Sequence, residues 1–231
     1  MAGPRTKGKC KFCEKEFSKG WMDKHLATCP VRTAEDVVSS TFKNSKIPAA
    51  KFFDLEVEGF YAPMYWMYLK MPVTATLADL DIFLRNEWLE CCGHLSAFRI
   101  GGDNYVSVVD KDWGMDDRSM DEAILGKILS VGDQFSHEYD FGTTTELKLK
   151  VLAEHAGKVF KGEKVEILAR NNAPEIKCVN CGELATEICT ECMYEDGGLL
   201  CVKCAKEHEC DEDMFLPVVN SPRIGMCAYG T

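Results

Sequence analysis

No stretch of this chain reaches the roughly 18–20 uncharged apolar residues that a bilayer-crossing helix needs. No charged-then-apolar leader opens it either, since Met1–Lys9 is polar and basic. Both absences lead to the expectation of a soluble, cytoplasmic protein without membrane contact. No phosphate-cradling loop and no nucleophile with a base stands beside its candidate carboxylates, which weighs against catalysis. Basic residues are scarce near the C-terminus, where Cys178–Met214 holds two Lys/Arg against ten Asp/Glu. That balance excludes this end as a polyanion binder, whereas Met1–Arg32, with eight Lys/Arg against three Asp/Glu, keeps the option open. An even cysteine count is also missing: the 231 residues hold thirteen. A reducing compartment that leaves thiolates free for metal fits this usage.

Cysteine, by contrast, is abundant and patterned. Cys178-x-x-Cys181, Cys189-x-x-Cys192, Cys201-x-x-Cys204 and His208-x-Cys210 place eight soft ligands within 33 residues. A two-residue gap lets both thiolates of a knuckle converge on one ion, and two such pairs complete a closed tetrahedral zinc site. The short gaps between pairs favour an interleaved cross-brace, with Cys178, Cys181, Cys201 and Cys204 on one ion and Cys189, Cys192, His208 and Cys210 on the other. Sequential pairing, the first four ligands against the last four, remains open. The spacing resembles the B-box type of cross-brace finger over about 35 residues. Thr186-Glu187-Ile188 and Leu199-Leu200 are the compact apolar patches here, so metal binding is expected to supply the folding energy. Disulfides or plain buried cysteines are the competing explanation, and paired knuckle spacing speaks for metal.

A second pattern lies at Cys10-x-x-Cys13 and His25-x-x-x-Cys29. A hairpin knuckle carrying two thiolates, followed by a helix offering His and Cys one turn apart, is the ββα finger plan, with Phe17 and Met22 as its small core. The segment resembles the Cys-Cys-His-Cys family of single fingers. Arg5, Lys7, Lys9, Lys11, Lys15, Lys19 and Lys24 would supply phosphate contacts, although one finger covers only about three base pairs. A solvated basic face is the plain alternative.

Residues 33–48 read as a connector, with a helix start at Thr33-Ala34-Glu35-Asp36, and a domain boundary is placed near residue 48. Beyond it, Phe53, Leu55 and Val57 alternate with acidic residues, and Met64–Met71 is an apolar, aromatic run, giving two paired strands. Leu77, Leu80, Phe83, Leu84 and Trp88 recur at helical spacing behind a Thr76 N-cap. Strands are predicted over Leu95–Ile100, Asn104–Val109, Gln134–Phe141, Glu146–Ala153 and Lys164–Arg170, with a short helix at Asp121–Leu129 and a charged loop at Asp110–Ser119. Helices packed on a mostly antiparallel sheet make an α+β class. The expected divisions are 1–32 (finger), 33–48 (connector), 49–172 (α+β), 173–214 (cross-brace) and a 215–231 tail packing on the core.

The run His94-Leu95-Ser96-Ala97-Phe98-Arg99-Ile100-Gly101-Gly102, followed by Val131–Gly142 with its Tyr139-Asp140-Phe141-Gly142 signature, resembles the plasmid pRiA4b ORF-3-like family over about residues 49–170. The resemblance implies a curved antiparallel sheet and no settled activity. Many relatives follow the Phe-Gly with Asp and then Trp and His at alternate positions. Thr143, Thr145 and Leu147 stand here instead.

Other groups were weighed for chemistry. Cys91-Cys92-Gly93-His94 offers a further metal site or a nucleophile with a base, but packing is favoured because adjacent cysteines leave a helix end in different directions; Cys227, without a knuckle partner, reads as buried, with a substitute ligand as the lesser option. His137 shares a face with Phe135, Tyr139 and Phe141, while Glu138 and Asp140 share the other and could serve acid/base work. The sequence thus supports a non-catalytic protein with about three Zn²⁺ ions, acting as a recognition or adaptor module for a protein partner. One alternative is nucleic-acid binding through the basic finger, linked to mobile-element or DNA transactions. The other is a hydrolase-like enzyme using the central carboxylates.

Overall fold

The computed structural model describes residues 6–34, 49–109, 116–158, 164–195 and 197–230. Its core is a mostly antiparallel sheet with few helices, the α+β arrangement expected. In chain order the strands are β1 (Lys7–Cys10), β2 (Glu16–Ser18), β3 (Ala49–Gly59), β4 (Trp66–Pro72), β5 (Ser96–Ile100), β6 (Asp103–Val106), β7 (Arg118–Ser119), β8 (Gln134–Tyr139), β9 (Thr145–Lys158) and β10 (Glu166–Asn171). They form one sheet in the order β2-β1-β10-β4-β3-β9-β8-β5-β6-β7, and only β6 and β7 run parallel. A charged loop was expected over Asp110–Ser119; its last two residues form β7, and residues 110–115 lie outside the described ones. Connector residues 35–48 lie outside them too. Residues 30–34 are already helical, so the chain turns helical ahead of the expected start at Thr33.

Besides helical residues 30–34, the α-helices among the described residues are α1 (Lys19–Thr28), α2 (Leu77–Leu84), α3 (Leu125–Ile128) and α4 (Val202–Lys206). Helix α2 starts where the sequence predicts because Thr76 and Asp79 form a reciprocal capping box: Thr76 Oγ1 accepts from Asp79 N at 3.2 Å and Asp79 Oδ2 accepts from Thr76 N at 3.0 Å. Its last turn widens into a π-helical segment, Arg85–Leu89, which buries Trp88 and Leu89. The helix expected over Asp121–Leu129 shrinks to the single turn of α3.

The apolar run in β4 is continuous because both of its faces are covered. Met67, Leu69 and Met71 join β3 and α2 in the main core, whereas Trp66 and Tyr68 face the opposite way into a cluster with Met22, Leu26, Cys10, Cys29 and Leu168. The finger is therefore not a separate bead. Strand β1 pairs with β10 (Gly8↔Asn171, Cys10↔Ala169), which carries its hairpin into the central sheet. Gly8 permits that approach, since a Cβ there would collide with the Trp66 ring and with Arg170 O.

Between sheet and helix, His137 Nε2 lies 2.7 Å from Asp81 Oδ1 with both side chains buried. The carboxylate can only accept, so Nε2 carries the proton. Burial works to raise the Asp81 pKa, but the His137 hydrogen bond and charge outweigh it and hold the carboxyl below its ordinary range. A carboxyl depressed in the folded state contributes stability above its ordinary pKa of about 4, and that share drains away as pH falls through the lower folded value. Asp81→Asn is expected to cost about 1–3 kcal/mol at neutral pH. Urea titrations at pH 7 and pH 3 check this, the gap between wild type and variant narrowing at the acid end.

A second, three-stranded sheet serves the C-terminal module: β11 (Glu187–Cys189) lies between β12 (Leu199–Leu200) and β13 (Phe215–Pro217). The apolar patches seen in sequence are thus paired with each other, Ile188 opposite Leu199. Strand β13 extends the module past the expected boundary at 214. Beyond it the tail packs on the core: Ser221 Oγ donates to Trp88 O at 2.6 Å, and Arg223 is fully buried.

Candidate metal centres

In the N-terminal hairpin, Cys10 closes β1, Cys13 ends the following turn, and α1 brings in His25 with Cys29 at its C-cap. Glu14 at φ 59° turns the knuckle back, and Glu14 N donates to Cys10 O at 2.9 Å. The four ligand atoms lie within 4.8 Å of one another, with Cys13 Sγ 3.2 Å from His25 Nε2. Phe17 stacks on the His25 ring at 4.1 Å and fixes its plane. Burial pushes the Cys10 thiol up. For Cys29 burial acts the same way, but the Arg32 and Val31 backbone N–H groups aimed at the sulfur outweigh it and bring the thiol down.

The C-terminal module is interleaved. Cys178, Cys181, Cys201 and Cys204 form one group and Cys189, Cys192, His208 and Cys210 the other, each with all ligand atoms within 4.8 Å. Cys181 and Cys201 sulfurs are 3.6 Å apart; Cys192 Sγ lies 3.7 Å from Cys210 Sγ and 3.3 Å from His208 Nε2. Strands β11 and β12 force this crossing, because pairing Glu187 with Leu200 sets the second knuckle between the halves of the first group. Gly182, at φ +77°, closes the first knuckle.

The electrostatics of these groups suit a cation. At Cys178 burial is outweighed by backbone N–H groups of Cys201, Cys181 and Asn180, and the thiol falls to about 6. Its partner Cys204 is pushed up to about 12, first by the hydrogen bond with Cys181 and then by burial. Cys210 is likewise pushed up to about 12 by Cys192 and Cys189. Sulfurs this close cannot all ionise without a compensating positive charge, and a divalent soft ion between them removes the conflict. Thiolate and imidazole are the donor set that zinc prefers.

A fourth grouping joins residues for which the sequence favours packing. Cys91, Cys92 and His94 meet Cys227 from the tail, again within 4.8 Å. Cys92 and Cys227 are exposed, so the expected packing role fails for both. The adjacent cysteines converge because the helix has ended at Glu90 and Gly93, at φ +80°, turns the chain back. Leftover cysteines were the available signal: the three motifs use ten of thirteen, and the remaining three all come here.

The central acid/base candidates are engaged elsewhere. Glu138 accepts from Arg99 at 2.8 and 3.1 Å, and Asp140 accepts from Arg223 at 2.7 Å. Asp140 adopts φ 65°, which breaks the strand alternation and leaves Phe141 exposed rather than on the His137 face. A cavity of about 540 Å³ is lined by residues including Arg32, Asp54, Tyr68 and His155, not by Glu138, Asp140 or His94. Among the described residues no helix is long and apolar enough to cross a membrane.

No family model matches the chain, and no curated protein does. Among solved structures, the crystal structure of a protein of unknown function from Methanosarcina mazei Go1 aligns with 71% of this chain and 85% of its own, at 16% identity and a TM-score of 0.45.

Proposed function

We propose that this chain is a non-catalytic zinc protein whose finger and cross-brace hold three structural Zn²⁺ ions, and that the cross-brace docks a protein partner. The carrying observation is the completeness of the ligand sets. Each offers four thiolate or imidazole donors, which fills a tetrahedral ion and leaves no position for water or substrate, the arrangement of structural rather than catalytic zinc. A protein partner is supported by what the module shows to solvent: Tyr194 (70% exposed), Val202, Leu184 and Val179 stand out among its many acidic residues. Exposed apolar anchors framed by one sign of charge suit a partner with a basic rim and an apolar centre. The paired state of Glu138 and Asp140 supports this reading over a hydrolase.

The resemblance to the plasmid pRiA4b ORF-3-like family is carried by the central domain. Its Tyr139-Asp140-Phe141-Gly142 run forms the turn joining the paired strands β8 and β9. In affinity capture from native lysate, the intact chain is expected to enrich a protein that Val202→Glu recovers at least ten-fold less well. Equal recovery by both chains, or none by either, overturns the docking surface.

One observation favours nucleic acid instead. Trp21 on α1 is 65% exposed with the Lys24 ammonium 5.1 Å from its ring centre, a pair able to stack on a base. Against it, Lys9, Lys11 and Lys19 already pair with Glu14, Glu166 and Glu56, and Arg5 lies outside the described residues. No gel shift of labelled DNA at low salt is the expected result. A salt-sensitive shift abolished by Cys10→Ser would establish the rival.

A further inference from the structure

We infer that Cys91, Cys92, His94 and Cys227 form a fourth zinc site, one that clasps the C-terminal tail to the central domain. It goes beyond the three ions assigned above and uses none of their ligands. Cys92 Sγ lies 2.9 Å from His94 Nε2 and 3.3 Å from Cys227 Sγ; His94 Nε2 lies 3.4 Å from Cys227 Sγ, and Cys91 Sγ 3.6 Å from Cys92 Sγ. Zinc–ligand bonds of about 2.0–2.3 Å put neighbouring donors of a tetrahedral site roughly 3.5–3.8 Å apart. The separations here, 2.9–3.6 Å, overlap those at the two mixed Cys/His sites, where the corresponding contacts run from 3.2 to 3.7 Å, with the Cys92–His94 pair the one shorter contact.

The surroundings are built for such an ion. Three thiolates on a divalent cation leave one negative charge, and the Arg223 guanidinium, fully buried, donates to Cys91 Sγ at 3.4 Å. Arg223 is itself fixed by Asp140 at 2.7 Å, Thr143 O at 3.1 Å and Thr145 Oγ1 at 3.0 Å, so the counter-charge is positioned before any metal arrives. On the other side the Tyr139 hydroxyl accepts from Cys91 N and His94 N and donates to Glu90, whose carboxylate also receives Gly93 N at 2.6 Å. The loop from Glu90 to His94 is thereby held with its donors facing one point.

The tail arrives in an unusual backbone. Gly225, Cys227 and Ala228 take φ values of 79°, 46° and 52°, a region that L side chains avoid. A bond from Cys227 to an ion shared with the loop gives that conformation a reason to persist. The site is also the most open of the four, with Cys92 and Cys227 exposed, so its ion should exchange first.

Elemental analysis of the intact chain, purified under reducing conditions, is the test. Four zinc ions per wild-type chain and three per Cys227→Ser chain are expected. His94→Gln serves as a second variant should the first fail to fold, and the wild-type count needs no variant at all. Three ions in wild type, unchanged by either substitution, overturn the fourth site while leaving the other three standing; none at all overturns both readings. Non-reducing peptide mapping that finds Cys92 bonded to Cys227 would instead assign the pair to a disulfide and refute the site. In a chelator time course, the first ion released should be the one missing from Cys227→Ser.

Discussion

Stripped of metal by a strong chelator, the chain is expected to lose its cross-brace module while the central sheet stays folded. The reason lies in what each part buries. Among the described residues, the module's hydrophobic cluster consists of Cys178, Leu200 and Cys204, and two of these are ligands. Its strands are two or three residues long. Structural zinc in small fingers contributes on the order of 10–16 kcal/mol at neutral pH, above the roughly 1.5–3 kcal/mol apiece that buried Ile188, Leu200 and Leu216 can supply. The central domain, in contrast, packs one face of β4 and one face of α2 into a main cluster whose buried residues include no candidate ligand, while the other face of β4 lies under the finger. Hydrogen exchange before and after chelation would read this directly, with residues 176–217 losing protection and β3, β4, β8 and β9 retaining it. Uniform retention would contradict the metal-dependent fold.

Arg223→Ala is expected to have the next largest effect, about 3–5 kcal/mol. The side chain is fully buried and serves four acceptors at once: Asp140, Thr143 O, Thr145 and Cys91. Its removal strands the Asp140 carboxylate, only 8% exposed, without its cation, and an uncompensated buried charge costs more than the pair itself yields. For a chain of this size the loss translates to a fall of roughly 6–20 °C in Tm. Arg223→Met with Asp140→Asn should recover much of it, because the neutral amide leaves no orphaned charge, tolerates the left-handed backbone and still accepts from Gly142 N and Thr143 N. A thermal melt of the three proteins separates this from a simple loss of tail packing, in which case the double variant would be no better than the single.

Much of this architecture could be read from residue order. Knuckle spacing selected eight of the twelve candidate ligands in the first three groups, because two residues between cysteines is a local geometric requirement, and His25/Cys29 and His208/Cys210 completed the sets at similarly short range. Thr76 announced α2 for the same reason, since the capping box it forms with Asp79 spans only four residues. Phe53, Leu55 and Val57 gave the buried side of β3 by alternation. What stayed hidden depends on distant chain. Met64–Met71 carries no sign that an N-terminal finger covers one of its faces, and the pairing of Gly8 with Asn171 joins residues far apart in sequence. Cys91 and Cys92 lack knuckle spacing, and their partner Cys227 lies beyond the cross-brace, so the sequence offered His94 beside two cysteines and a surplus thiol but not their meeting. Asp140 broke the pattern of β8 because its left-handed backbone serves the turn that meets Arg223.

The docking of β1 onto β10 sets a timetable for synthesis. Residues 10–29 leave the ribosome early and can take up their ion at once, yet the strand they must lie against ends at Asn171. At about 5–20 residues per second, the nascent finger waits roughly 10–30 s with Met22, Leu26 and one edge of β1 uncovered. A ribosome stalled before β10 should therefore display a metal-loaded hairpin that still binds chaperones, and release should bury it.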